Sequence, residues 1–238
     1  MKERSFTVRG AQVIDGSGSK ASRADVLVID GVIAKVGSIS RGEEEGKVVE
    51  ADGLTLTPGF IDLHSHSDLA VISDPAHLAK VTQGVTLEVV GQDGLSYVPS
   101  NEETLHTLRE QLFGWNGEPA ALKWNFHSVA EYLGEVDKGS AVNVAYLIPH
   151  GTVRMLARGN GAGLASVEEL NTMKQLVEIG MQEGAVGLSA GLTYTPAMYA
   201  DDAEIIELCK IVAKYNGYYA PHHRNYGAQF LTAVDDCI

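Results

Sequence analysis

The sequence has few cysteines and no long apolar run. Its only cysteines, Cys209 and Cys237, cannot build the disulfide framework of a small secreted protein. No uninterrupted apolar stretch approaches the roughly 18 residues of a membrane span. The opening stretch, MKERSFTVRGAQVIDG, contains no apolar core of a secretory signal. These absences predict a cytoplasmic protein with no membrane partner.

Positive charge is also scarce. Lysine and arginine total 18 against 31 aspartates and glutamates, so the formal net charge is −13. Nucleic acids and anionic membranes attract basic surfaces, and neither is therefore a predicted partner. No glycine-rich phosphate loop follows a predicted strand, which argues against a nucleotide-binding sheet.

Two different patterns divide the chain. Residues 1–57 contain short segments rich in Val and Ile, separated by turn signals such as Asp30–Gly31, and they predict a small all-β sandwich unit. Residues 58–238 alternate between short apolar runs and helical patterns, which predicts a parallel sheet. The predicted strands are Phe60–Leu63, Thr86–Val90, Val142–Ile148, Ala185–Leu188 and Tyr218–Ala220. The predicted helices cover residues 75–83, 102–113, 127–136, 166–183, 202–215 and 228–236.

Five predicted strands fall short of the eight that close a barrel. We therefore predict the fold class α/β, as a partial (β/α)8 TIM-type barrel of about strands 1–5. Polar residues gather where these strands end, and active sites of β/α barrels lie at that end.

The stretch PGFIDLHSHSDL contains the most informative pair, His64 and His66. Residues two apart in an extended chain project to the same side, so both imidazoles are placed to bind one metal ion. Asp62, Ser65 and Asp68 are candidates to orient the rings. The alternative is that the two histidines are simply solvated or packed at a strand end.

Four stretches, TPGFIDLHSHSDL, QGVTLEVVGQDGLS, VGLSAGLTYTP and YAPHHRNYG, resemble the amidohydrolase superfamily and, within it, the N-acyl-D-amino-acid deacylases. The resemblance implies a barrel with one or two divalent ions, usually zinc. It implies that His64, His66 and His222 are metal ligands, whereas His223 takes a variable position. The family's general acid/base aspartate would follow strand eight, beyond Ile238, so no catalytic acid or base is assigned.

The chain departs from the family after the second predicted strand. Asp93 occupies the position of a metal-binding cysteine, and a carboxylate can also bind zinc. The alternative is that Asp93 only begins a turn. The resemblance further implies that Tyr194, His150 and Arg154 bind substrate, although Arg154 is as well suited to structural pairing with an acidic residue.

These observations predict metal-dependent hydrolysis of the amide bond of N-acyl-D-amino acids, which are small-molecule partners. Two alternatives stay open: a cyclic-amide hydrolase of the hydantoinase or dihydroorotase type, and a non-catalytic metal-binding fragment. Against the first, the fourth strand has no lysine to carry a carboxylate bridge. We expect the chain to be the N-terminal part of a deacylase, completed by a missing C-terminal half or by self-association.

Overall fold

The structure is a computed structural model that describes residues 4–238. The chain divides into two compact units, Met1–Gly59 and Phe60–Ile238. Among the described residues, no helix combines the length and the apolar character that crossing a bilayer requires. The two units are described in turn.

The first unit is built from strands joined by tight turns. The strands are β1 (Phe6–Val13), β2 (Ser22–Ile29), β3 (Val32–Gly37), β4 (Lys47–Glu50) and β5 (Thr55–Leu56). β1 pairs antiparallel with β2 and parallel with β4 and β5, while β3 pairs antiparallel with β2. Asp30 and Gly31 both have positive φ, at 51° and 83°. That conformation matches the twist of a two-residue hairpin, so β2 and β3 are joined as the Asp-Gly pair predicts.

A small apolar cluster lies on one face of this sheet. Val8, Ala11, Val26 and Val28 are buried in it together with Ala51. All five strands belong to a single sheet. The second layer of the predicted sandwich is not found within residues 4–59 and stays a prediction.

The second unit is an α/β layer structure around a curled parallel sheet. Its strands are β6 (Phe60–Asp62), β7 (Val85–Val90), β8 (Asn143–Pro149), β9 (Gly187–Gly191) and β10 (Tyr218–His222). Each strand pairs in parallel with the one before it, and the order is β10-β9-β8-β7-β6. This singly wound order is that of half a β/α barrel and confirms the predicted α/β class. The fourth strand begins two residues later than predicted.

Eight helices accompany the strands of this unit in the described chain. They are α1 (Ala70–Ser73), α2 (Leu78–Val81), α3 (Glu102–Asn116), α4 (Val129–Val136), α5 (His150–Arg158), α6 (Val167–Gln182), α7 (Asp202–Lys214) and α8 (Phe230–Asp235). Ser166 begins α6 in a capping box with Glu169, and Asp201 caps α7, as their side chains predict.

One helix prediction is wrong, and one helix was not predicted. Of the helix expected over residues 75–83, only the single turn α2 forms, and the turn α1 lies before that range. Pro75 disfavours helical backbone at Asp74, and His77 takes the left-handed conformation with φ at 44°. Helix α5 was not predicted, because His150 appeared to end a strand. Instead Pro149 joins β8 to α5 directly, with no loop between them.

Candidate metal centre

Three candidate ligands converge where β6 and β7 end. His64 and His66 follow β6, and Asp93 follows β7. The Nε2 atom of His64 lies 3.6 Å from Oδ1 of Asp93, and Nε2 of His66 lies 3.3 Å from Oδ2. All three residues offer a ligand atom within 4.8 Å of the others. The structure therefore brings together three of the four predicted metal ligands.

The turn that carries Asp93 has little freedom. Gly91 has φ at 77°, and a Cβ there would lie 2.2 Å from the carbonyl oxygen of Leu147. Only glycine fits so close to the neighbouring strand. The Ser189 hydroxyl accepts a hydrogen bond from Gly94 N at 3.1 Å and donates one to Gly91 O at 2.5 Å. Strand β9 thus fixes the position of the carboxylate.

Asp93 is shielded, whereas His64 is open to solvent. The Asp93 side chain is 10% exposed and that of His64 is 58% exposed. Burial acts to raise the pKa of Asp93, but the hydrogen bond with His66 and the charges of His64, His66 and His222 outweigh it and lower that pKa. The hydrogen bond with Asp93 in turn raises the pKa of His66. The carboxylate is therefore held in the ionised form that binds metals.

His222 lies beside this group rather than within it. It ends β10 opposite Gly191, and its Nε2 atom is 3.1 Å from the Tyr194 hydroxyl. Its Nδ1 atom is 3.3 Å from the Thr193 hydroxyl. His222 is near enough for its charge to act on Asp93, yet its role as a fourth ligand stays a prediction. His223 contacts Cys237 and Phe230 instead.

Tyr194 is the one predicted substrate-binding residue that contacts a predicted metal ligand, His222. Its ring centre is 4.9 Å from that of His222. Burial raises the pKa of the Tyr194 hydroxyl, and the negative charge of Asp93 adds to the effect. The hydroxyl is thus a neutral hydrogen-bonding group at the rim of the site.

His150 and Arg154, the other predicted substrate-binding residues, are sealed in the interior. Both are fully buried at the start of α5. His150 Nε2 lies 2.7 Å from Oε1 of Glu204, and Arg154 forms an ion pair with the same carboxylate. These contacts match the alternative reading of Arg154 as a structural ion-pair partner. Neither residue offers an exposed surface to a substrate.

The residues expected to orient the imidazoles contact other groups. Asp62 binds Lys80 at 2.5 Å, Ser65 binds Glu88 at 3.1 Å, and Asp68 accepts hydrogen bonds from Ser96 and from the backbone of Gly91. Among the described residues, none of the three bonds to a histidine ring of the site. Asp68 instead ties the segment after β6 to the turn that carries Asp93.

Sequence reasoning missed Trp115, the penultimate residue of α3. Its ring centre is 4.5 Å from that of His66 and 6.2 Å from that of Tyr194. The side chain is nearly half exposed. Nothing in the local sequence of α3 indicates that its C-terminal end packs beside the candidate metal ligands. Trp115 adds an apolar wall to an otherwise polar group.

Comparison with known proteins places this arrangement in a family. The model of the amidohydrolase family matches residues 47–234. The chain belongs to the amidohydrolase family. The resemblance inferred from the four sequence stretches is therefore confirmed, with the barrel part and the end of the first unit both included.

Individual amidohydrolases resemble the chain over nearly all of its length. D-aminoacylase from Alcaligenes xylosoxydans xylosoxydans is 32% identical over 95% of this chain and 46% of that protein. A D-aminoacylase structure with a binuclear metal centre superposes with a TM-score of 0.85 at 30% identity, covering 97% of this chain and 48% of the other. N-acyl-D-glutamate deacylase from Bordetella bronchiseptica, solved with zinc and a phosphonate mimic of the tetrahedral intermediate, gives 0.84 at 30% identity over 97% and 47%. The chain thus spans about half the length of the relatives it matches.

Proposed function

We propose that this chain supplies the metal-binding half of a site that hydrolyses the amide bond of N-acyl-D-amino acids. The observation that carries the proposal is the convergence of His64, His66 and Asp93 at the carboxyl ends of two neighbouring parallel strands. D-aminoacylase and N-acyl-D-glutamate deacylase, which resemble the chain over most of its length, support this reaction.

The donor set suits a divalent cation, with zinc the first candidate and one or two ions as the range. Ligands at about 2.0–2.2 Å from a tetrahedral zinc ion lie about 3.3–3.6 Å from one another. The imidazole–carboxylate distances, 3.6 Å from His64 to Oδ1 of Asp93 and 3.3 Å from His66 to Oδ2, are of that size, with one imidazole beside each carboxylate oxygen. Two neutral imidazoles and one carboxylate leave a coordination position open, which is the pattern of catalytic zinc sites. We propose His222 as a further ligand.

In the reaction, a divalent ion bound here would lower the pKa of a water molecule and polarise the substrate carbonyl. His64, His66 and Asp93 would hold that ion, and the β9 contacts to the Asp93 turn keep the carboxylate in place. Tyr194 is proposed to donate a hydrogen bond to the substrate carboxylate. Trp115 is proposed to cover the apolar side of the substrate and to limit access of bulk water.

His150 and Arg154 are proposed to act at a distance from the substrate. Both bind Glu204, so they hold the start of α5 against α7. Because α5 follows β8 without a loop, this contact supports the strand end that borders the Asp93 turn. Their substrate-binding role would require a rearrangement that exposes them.

Turnover is proposed for a closed barrel. The sheet has two terminal strands, β6 and β10, and the matched relatives are about twice as long as this chain. The remaining strands, and the second layer of the predicted sandwich, would come from further sequence or from a second copy. We propose, from the sequence, that the domain boundary lies between residues 57 and 58 and that the protein is cytoplasmic.

The test is to measure metal content and hydrolysis together. Purified protein should bind zinc in an amount that a chelator removes, and hydrolysis of N-acetyl-D-amino acids, where present, should disappear with it. Zinc binding without turnover supports the alternative of a metal-binding fragment. A protein that binds no divalent ion above the level of a denatured control contradicts the proposal.

The second candidate reaction is hydrolysis of a cyclic amide. Strand β9, Gly187–Gly191, contains no lysine to carry a bridging carboxylate group. Parallel assays with hydantoins and N-acyl-D-amino acids separate the two reactions. Faster turnover of hydantoins would make the cyclic-amide reading the better one.

A further inference from the structure

Strand β7 contains a fully buried charge, Glu88, that the proposed reaction does not use. We propose that Glu88 is a positioning residue, which holds His64 and His66 by binding the two serines that alternate with them. The inference rests on the proposed metal site and identifies the group that orders its first two ligands.

The serines and histidines of the segment face in opposite directions. Neighbouring residues of an extended chain project to opposite sides. His64 and His66 point to Asp93, whereas the hydroxyls of Ser65 and Ser67 lie 3.1 and 3.3 Å from Oε1 of Glu88. Ser65 and Ser67 are also 2.8 Å from each other. One carboxylate oxygen thus gathers both serines behind the histidines.

Glu88 also pairs with two basic side chains. Its Oε2 atom lies 2.7 Å from Nε2 of His77, and its Oε1 atom lies 2.6 Å from the Lys80 ammonium. An isolated carboxylate would be very costly at such a buried position, and these partners offset that cost. Glu88 is therefore a fixed anchor rather than a residue free to move.

A second connection reaches the same segment. Lys80 also binds Asp62 at 2.5 Å, and Asp62 accepts a hydrogen bond from the backbone N–H of His64 at 3.2 Å. The network therefore contacts the segment at both of its ends. This matters because residues 63–67 lie outside any helix or strand and make few backbone hydrogen bonds, among them Ser65 N to Val89 O at 3.1 Å. Further contacts reduce the conformational freedom that metal binding must otherwise remove.

The decisive variant is Ser65→Ala/Ser67→Ala in the full chain. It removes the hydroxyls and leaves the Glu88–His77–Lys80 ion pairs intact. Zinc affinity is measured by competition with a chromophoric chelator, and stability by chemical denaturation. We expect affinity to fall about tenfold or more, which is the usual effect of losing groups that orient metal ligands. Ser140→Ala, which removes a part-buried serine bonded to Val142 O, is the matched control and should leave the affinity unchanged.

Glu88→Gln should affect stability more than zinc affinity, which is the opposite of the double serine variant. The amide oxygen can still accept from both serines, but Lys80 keeps only Asp62 as an ionic partner and His77 loses its carboxylate contact. Stability should therefore fall, while zinc affinity falls less than in the double serine variant. If the wild type binds zinc and the double serine variant binds it within about twofold as tightly, the inference is overturned and the proposed function stands. If the wild type binds no zinc, both are overturned.

Discussion

Two clusters of the second unit combine histidine with a carboxylate, yet they differ in exposure and in charge balance. In the metal centre, Asp93 faces two imidazoles and His64 is open to solvent. In the other cluster, Glu204 faces His150 and the guanidinium of Arg154, and all three are sealed from water. The charge of Arg154 already balances the Glu204 carboxylate. The Asp93 carboxylate faces only imidazoles, and together these side chains are the ligand types that bind a metal ion. The same residue types are therefore suited to stability in one place and to ligand binding in the other.

The largest expected effect belongs to the sealed cluster. Glu204→Ala should lower the free energy of unfolding by about 3–5 kcal/mol, because it leaves the Arg154 charge buried without its partner. The control is Glu207→Ala on the same helix, whose carboxylate pairs with Lys174 and Lys210 near the surface. That change should cost much less, because solvent screens exposed ion pairs. Equal losses in urea denaturation would remove the distinction between a buried and a surface ion pair.

At the open cluster, His64→Ala should act on metal binding and hardly on stability. Removing a metal ligand should weaken zinc binding more than removing a group that only orients a ligand. Zinc affinity should therefore fall by about 100-fold, equivalent to about 2.7 kcal/mol. His223→Ala is the matched control, since His223 contacts Cys237 and Phe230 instead of the three-ligand group. Unchanged metal content in the His64 variant, measured by elemental analysis, would mean that the site is misplaced.

The pH dependence of stability should also separate the clusters. Burial tends to raise the pKa of Glu204, but hydrogen bonds from His150 and Arg154 outweigh burial and lower it. A carboxyl group whose folded pKa lies below its unfolded value stabilises the protein above the unfolded value, and this stabilisation disappears as the pH falls through the folded pKa. Glu204→Gln should therefore be less stable than wild type at pH 7, with the difference narrowing in acid. A difference that stays constant from neutral pH into acid would contradict this account.

The smallest expected change in stability comes from Trp115→Phe. Because the side chain is nearly half exposed, the free energy of unfolding should change by no more than about 0.5 kcal/mol. The chain has two tryptophans, so Trp124→Phe leaves Trp115 as the only one, and Trp115→Phe leaves Trp124. Binding of Cu²⁺ should quench the fluorescence of Trp115 more strongly than that of Trp124. Equal quenching in the two variants would place Trp115 away from the bound ion.

Local sequence signals predicted much of the second unit. The apolar runs located all five strands to within three residues at either end, and Ser166 and Asp201 marked the starts of two helices. They failed where a local signal was weak or misleading. The helix predicted over Pro75 is interrupted, and helix α5 begins directly after β8 at a histidine that appeared to end a strand.

For the candidate site, sequence spacing identified the ligands but not their surroundings. The H-x-H pair and the aspartate after β7 were predicted from strand ends and from the resemblance. Trp115 and Glu88 were not, because nothing in the α3 pattern shows where its last turn packs, and a single glutamate in an apolar strand does not reveal its partners. Arg154 shows the converse: its sequence context favoured a substrate contact as much as an ion pair, and only burial distinguishes them.

By itself the sequence determined the alternation of strands and helices, the pairing of His64 with His66 and the glycine turn around Asp93, since each depends on residues close together in the chain. The tertiary structure alone decided that His150 and Arg154 meet Glu204 some 50 residues away and that Ser65 meets Glu88. Such contacts depend on strand register and helix packing, which set the distance between side chains that are far apart in sequence. The sequence therefore predicted which residues could bind a metal or a substrate, but it did not predict their exposure or their ion-pair partners.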